Sequence, residues 1–263
     1  MSSIVRLPSL VFAFVVAAAP ATAVTINFLN VAVTENFNSL AATETSSTLP
    51  VGWAIRETLA FANTSYTPGT GSSTTGDTYS FGADGNSERA LGTLQSGSLV
   101  STIGTVVTNL TGSAITSLTI SYFGEQWRLG SVSAGRTDQL DFGYSTDATG
   151  LGTIGALWTE VNALDFVAPI IAGVGALDGN LAANRRAISF TITGLNIASG
   201  ADFWLRWTDF NAAGADDGLA IDDFSITAAG SQGVPDQLPL TFAAVLVAAL
   251  FLTARRHGNL RCR

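Results

Sequence analysis

Three stretches of this chain alternate strictly between two sets of residues, and they fix its class of fold. Leu118, Ile120 and Tyr122 interleave with Ser117, Thr119 and Ser121; Ile188, Phe190 and Ile192 interleave with Ser189, Thr191 and Thr193. Phe203, Leu205 and Trp207 interleave with Trp204, Arg206 and Thr208. A period of two sends alternate side chains to opposite faces of a strand, so each stretch has one face in and one face out. No long stretch carries the period of an amphipathic helix. Turn clusters such as Thr67-Pro68-Gly69-Thr70-Gly71, Ala83-Asp84-Gly85-Asn86 and Asp178-Gly179-Asn180 punctuate the runs. The pattern predicts strands over 25–33, 53–62, 77–82, 99–109, 115–124, 138–145, 158–166, 187–195, 202–208 and 219–228. The Ser-, Thr- and Gly-rich stretch 63–76 is expected to be the least ordered. Short strands with no helices to cross over between them predict an all-β fold, an antiparallel β-sandwich.

Such a sandwich has to stand on apolar packing alone. From Val24 to Gly233 the chain has no His, Cys, Lys or Met; His257 and Cys262 lie in the tail, and all twelve basic residues of the 263 are Arg. No disulfide can staple the fold, and its length suits one large domain or two small ones. The same absences exclude Ser-His-Asp and Ser-Lys catalysis, Cys-His pairs, Schiff-base lysines and a P-loop. Zinc, copper and haem sites lose their usual ligands. What remains for a site is carboxylates, Arg, hydroxyls, amides and aromatics. Between Val24 and Gly233, seven Arg stand against nineteen Asp plus Glu, a net charge of −12. That balance argues against nucleic acid as a partner and leaves divalent cations and neutral polymers.

The two ends read as addresses. Arg6 followed by the apolar run Leu10–Ala19 resembles a signal peptide over residues 1–23, with small Ala21 and Ala23 set for cleavage after Ala23 by signal peptidase. At the other end, a linker over 230–237 carries Val234-Pro235-Asp236. An apolar segment over 238–254 follows, with the length of a transmembrane helix, and then a basic tail over 255–263 led by Arg255 and Arg256. Basic residues hold such an end in the cytoplasm. This order resembles the PEP-CTERM class of bacterial sorting signals, in its Val-Pro-Asp variant. The resemblance implies an exosortase, a membrane-embedded cysteine protease or transpeptidase, as processing partner at the Pro-acidic motif. The second Pro of Pro-Glu-Pro is missing here, and Gln237-Leu238 follows the motif. Two rivals are a sortase-like reading of Leu238-Pro239-Leu240-Thr241, where Phe242 replaces the Gly, and a plain single-span anchor.

Between the ends, Glu35-Asn36-Phe37-Asn38 precedes Gly52-Trp53, and the chain closes on Gly218-Leu219-Ala220-Ile221-Asp222-Asp223-Phe224-Ser225. This layout resembles MAM-type and related jelly-roll domains, without their cysteines. The resemblance implies a jelly-roll-like sandwich over 24–229. Asp209, Asn211, Asp216, Asp217, Asp222 and Asp223 fall within fifteen residues beside a Gly turn, a supply of hard oxygen ligands for Ca²⁺, although the spacing is not that of an EF-hand. Jelly rolls of this type often share a structural calcium between first and last strands, which adds Glu35 to Asp216, Asp217, Asp222 and Asp223 as expected metal ligands. The plainer reading is an acidic strand end whose carboxylates bond turn amides. Trp127, Trp204 and Trp207 are the candidates for stacking on sugar rings.

Together these readings predict a non-enzymatic structural or adhesive protein of a Gram-negative, biofilm-forming bacterium. It would be exported, held transiently in the inner membrane by its tail, then placed at the cell surface or in the exopolysaccharide matrix. A carbohydrate-binding module is the alternative. A carboxylate-dependent polysaccharide hydrolase is the third reading, since carboxylates are plentiful but no pair stands out.

Overall fold

The computed structural model describes residues 22–230, together with the backbone of Val16–Ala17. Apart from Val16–Ala17, the leader up to Ala21 lies outside the described residues, as do the Val234-Pro235-Asp236 motif, the apolar segment and the tail with Arg255 and Arg256. Among the described residues no helix is long and apolar enough to cross a membrane.

The fold is all-β, built from two eight-stranded sheets. The first sheet has β1 (Val16–Ala17), β4 (Trp53–Thr58), β8 (Val100–Asn109), β15 (Asp202–Asp209), β10 (Gln139–Ser145) and β11 (Thr159–Glu160) in that order. In addition, β2 (Val24–Ile26) pairs with β8 and β12 (Phe166–Val167) with β10. The second sheet runs β13 (Gly175–Ala176), β9 (Ile115–Leu129), β16 (Gly218–Gly230), β7 (Ala90–Leu94), β6 (Asp77–Phe81) and β5 (Thr67–Gly69). Here β14 (Arg185–Ile197) pairs with β9 and β3 (Ala32–Glu35) with β16. Pairing is antiparallel except for β2 on β8 and β5 on β6. The β1 pair on the β4 edge falls inside the expected leader, so cleavage after Ala23 would remove it.

The inward sets of two of the alternating stretches meet between the sheets; on β14 Ile192 reaches that core, but Phe190 is 42% exposed. Phe203, Leu205 and Trp207 of the first sheet share one core with Leu118, Ile120, Tyr122, Ile221, Phe224 and Ile226 of the second. Trp207 is its centre. It stacks on Trp53 at 5.9 Å and meets Phe224, Tyr122 and Phe142 edge-on at 5.9, 5.4 and 5.1 Å. Edge-to-face geometry sets the positive ring edges against the negative faces. One polar strut also ties the sheets: buried Glu57 on β4 accepts from the N–H and hydroxyl of Thr78 on β6, at 2.9 and 2.8 Å.

Several expectations need correction. The strand expected over 158–166 is broken into β11, a 3-10 turn at Asn162–Leu164, and β12. The turn is held because the Tyr122 hydroxyl donates to the Leu164 carbonyl and Asp165 accepts the Phe142 N–H. The stretch 63–76, expected to be irregular, contains β5. Its approach is anchored by buried Tyr66, whose hydroxyl donates to the Thr48 carbonyl at 2.8 Å and accepts from the Ala41 N–H at 3.0 Å. Strand β7 was not foreseen; Ala-Leu-Gly-Thr-Leu does not alternate, because every one of its residues is buried between β6 and β16.

Trp207→Ala should remove about 3–5 kcal/mol of stability in a denaturant titration, the cost of truncating a fully buried large aromatic. A loss below about 1 kcal/mol would mean that the two sheets do not close on this ring.

Candidate functional site

The register of the first sheet lines up a polar row across four strands. Arg56 on β4 sits opposite Thr102 on β8, Thr102 opposite Thr208 on β15, and Thr208 opposite Asp141 on β10. Directly paired residues project to the same face. Trp207 points into the core, so neighbouring Thr208 and its row point outward. At strand spacing the row is about 14 Å long. It floors a groove of about 580 Å³ lined also by Val100, Leu151, Glu160, Asn162 and Asp165. The break in the strand expected over 158–166 is where Glu160, Asn162 and Asp165 of that lining come from. Gly104 lets Leu151 settle on the sheet, since a Cβ at this position would lie 2.6 Å from the leucine's Cδ2.

The groove mixes charges. Arg206 donates to Glu160 Oε1 at 2.6 Å, and its guanidinium lies 4.0 Å from the centre of the Trp158 ring. Burial, and next the nearby Arg206 charge, hold the Arg56 guanidinium below its usual pKa. Burial also raises the Asp165 carboxyl, against the pull of its hydrogen bond from the Phe142 N–H. Arg56 Nε, Arg206 Nε and Thr208 Oγ1 have no protein hydrogen-bond partner. The groove therefore offers donors, acceptors and carboxylates in one row, with part of the donor capacity unused.

The three indoles expected to stack on sugars are not on this surface or any other. Trp207 is core, Trp127 is buried under the second sheet's outer-face cluster, and Trp204 is buried with Leu151, Ala148 and Val106. Local loops cover two of the indoles: Leu151 and Ala148 of the 146–158 stretch cover Trp204, and Gly179 lies directly against the Trp127 ring. The half-buried Trp158 beside Arg206 is the aromatic nearest the groove. Its signal in the sequence was only the Trp158-Thr159-Glu160 run.

The five expected metal ligands are dispersed. Glu35 ends β3 opposite Phe224 and accepts the Phe37 N–H at 2.8 Å. Asp216 accepts the Ala212 N–H at 2.8 Å. Asp217 accepts from Arg136 Nη1 at 3.0 Å, the Gly130 N–H at 2.8 Å and Gln126 Nε2 at 2.9 Å. Arg136 pairs at the same time with Asp138 at 2.9 Å, whose Oδ2 also accepts the Asp217 N–H. Three of the expected ligands, Glu35, Asp216 and Asp217, therefore serve turn amides and a buried ion-pair network. Asp222 and Asp223 sit at a bulge of β16, where Asp223 takes a left-handed φ of 48°. Among the described residues no three His, Cys, Asp or Glu side chains are already gathered around an ion position. Ala23 is half-buried beside the Trp204 cluster, directly before β2.

No family model matches the chain, and no curated protein sequence matches it. Solved structures match weakly. The enzymatically active domain of bacteriophage CBA120 tailspike protein 4 aligns at 8% identity with a TM-score of 0.36, over 73% of this chain and 22% of that one. The chain thus spans about a fifth of that structure's length. TmCBM61 in complex with β-1,4-galactotriose aligns at 12% identity and a TM-score of 0.29, over 56% and 74% of the two chains. The K1 cleaved adhesin domain of Lys-gingipain from Porphyromonas gingivalis W83 aligns at 13% identity and 0.31, over 76% and 100%. Likeness this low assigns neither ligand nor activity.

The Arg136 network makes stability depend on pH. Burial raises the Asp138 carboxyl to about 7, against the pull of the Asp217 N–H and Arg136, and raises Asp209 well above its ordinary value. A carboxyl whose pKa is higher folded than unfolded favours the fold fully below its unfolded pKa of about 4 and loses that contribution as pH rises through its folded pKa. Melting temperature should therefore fall between pH 5 and pH 8.5, and Asp209→Asn should flatten the slope. A midpoint rising over that range would contradict this assignment.

Proposed function

We propose that this chain is an exported, non-catalytic polysaccharide-binding protein of the cell surface or extracellular matrix, with a jelly-roll, MAM-like sandwich as its binding module. The observation that carries the reading is the groove on the first sheet. Its floor crosses the strands for a length that accepts a short run of sugar rings, and it presents Arg, Thr, Asp, Gln and Asn side chains together. Sugar hydroxyls both donate and accept, so a row with both kinds of partner suits them. Half-buried Trp158 and the stem of Arg206 supply an apolar edge. A purely structural or adhesive role remains the competing reading, but it leaves this groove without a use.

The address rests on the sequence alone. The leader, Val234-Pro235-Asp236, the apolar segment and the Arg-rich tail support export, transient inner-membrane anchoring and exosortase sorting in a Gram-negative bacterium. Replacing Val234-Pro235-Asp236 with alanines in an exosortase-bearing host should hold the chain in the membrane fraction, and unchanged release would remove the sorting proposal.

Affinity electrophoresis against neutral and acidic exopolysaccharides tests the groove. Retardation by at least one glycan is expected, with Asp141→Ala and Arg206→Ala each weakening it about tenfold, the scale of a lost charged hydrogen bond. Retention on none of them would favour the structural reading. Release of new reducing ends would instead favour a hydrolase using Asp141, Glu160 or Asp165.

A further inference from the structure

The outer face of the second sheet carries a row of carboxylates that the groove does not involve. Ala220 on β16 pairs with Glu125 on β9, and Asp222 with Phe123, so Glu125 and Asp222 are diagonal neighbours on one face. Ile221 pairs with Leu91 of β7, which brings the start of that strand, and Glu88 just before it, alongside Asp222. On the far side β14 sets Arg185 opposite Glu125. Asp223 projects beside the row from the bulge. The row thus sets Arg185 against Glu125, while the buried Arg89 that follows Glu88 has its guanidinium bonded to Ser80 and Ala83.

Their hydrogen bonding is incomplete. Glu125 is fully buried; its Oε2 accepts from Trp127 Nε1 at 3.0 Å, while Oε1 has no hydrogen-bond partner. Arg185 Nη1 is 3.6 Å from that oxygen, close enough for attraction and too long for a hydrogen bond. Asp222 is 5% exposed and its Oδ1 also lacks a partner, as does the buried Oε1 of Glu88. Glu88 is positioned through its other oxygen by Asn180. Gly179, beside that Asn, lies against Trp127, so the 178–184 turn roofs the row. Buried carboxylate oxygens without partners are costly, and neighbouring negative charges add to the cost. A hard divalent cation relieves both at once.

We propose that Glu125, Asp222 and Glu88 form a divalent-cation site of the Ca²⁺ class on the outer face of the second sheet, roofed by the 178–184 turn. The site shares only Asp222 with the ligand set expected from the sequence, and it does not depend on the groove. Closing on an ion requires the Glu88 and Asp222 side chains to turn toward Glu125, since no three such side chains among the described residues are set around an ion position. Asp223, adjacent and exposed, supplies a further oxygen at the rim. The ion ties β7, β16 and β9 to the turn that covers Trp127.

Trp127 provides the readout, because its indole contacts Glu125 and can sensitise a bound lanthanide. Tb³⁺ added to the purified full chain should give indole-excited emission that Ca²⁺ displaces. Ca²⁺ should also raise the melting midpoint over chelator. Glu125→Gln and, separately, Glu88→Gln should weaken binding at least about tenfold, and Glu35→Gln should leave it unchanged. Glu88 is partly exposed, so Glu88→Gln decides the matter if Glu125→Gln does not fold. The proposal is overturned if neither ion has an effect, if the Glu88 variant binds like the parent, or if Glu35→Gln abolishes binding.

Discussion

The structure depends on one packing event, the closure of two sheets over Trp207. With no Cys between Val24 and Gly233, no covalent cross-link shares the load. Trp53, Phe142, Tyr122 and Phe224 surround the ring from both sheets, so its burial and its edge-on contacts hold the layers together. The groove follows from the same strand. Because Trp207 points in, Arg206 and Thr208 must point out, and their partners across the sheet, Thr102 and Asp141, project outward with Thr208.

The acidic residues serve three different ends. Around Arg136 they close a buried network in which Asp138 and Asp217 share one guanidinium. In the groove, Asp141, Glu160 and Asp165 face solvent across a polar floor. On the opposite face Glu125, Asp222 and Glu88 leave oxygens without partners. Neighbours rather than residue type separate these roles. Burial raises Asp138 and Glu125 alike to about 7, yet Asp138 is hydrogen-bonded to Arg136 at 2.9 Å, whereas Arg185 stops 3.6 Å from Glu125 Oε1 and the Glu88 charge adds to the upward push.

Much of the sandwich was legible because a half-buried strand writes its burial into a period of two. The stretches at 118–122, 188–192 and 203–208 all lie in strands, and the facing of Arg206 and Thr208 away from Trp207 followed from alternation alone. Strand β7 was illegible for the opposite reason: covered on both faces, it has no alternation to read. The indoles misled because alternation assigns a face without saying what covers it. Trp204 does point away from the core, and the 146–158 loop then buries it.

The sequence by itself determined the all-β fold class and the want of Cys, His and Lys chemistry between Val24 and Gly233, since each is a property of composition or local period. Only the tertiary structure decided which carboxylates meet. Asp217 and Asp222 are near neighbours along the chain, yet one pairs with Arg136 and the other lies in the field of Glu125, a like charge. Register across a sheet joins residues that are remote in sequence, as it does Arg56 with Asp141 and Arg185 with Glu125. Nothing in local spacing encodes that register.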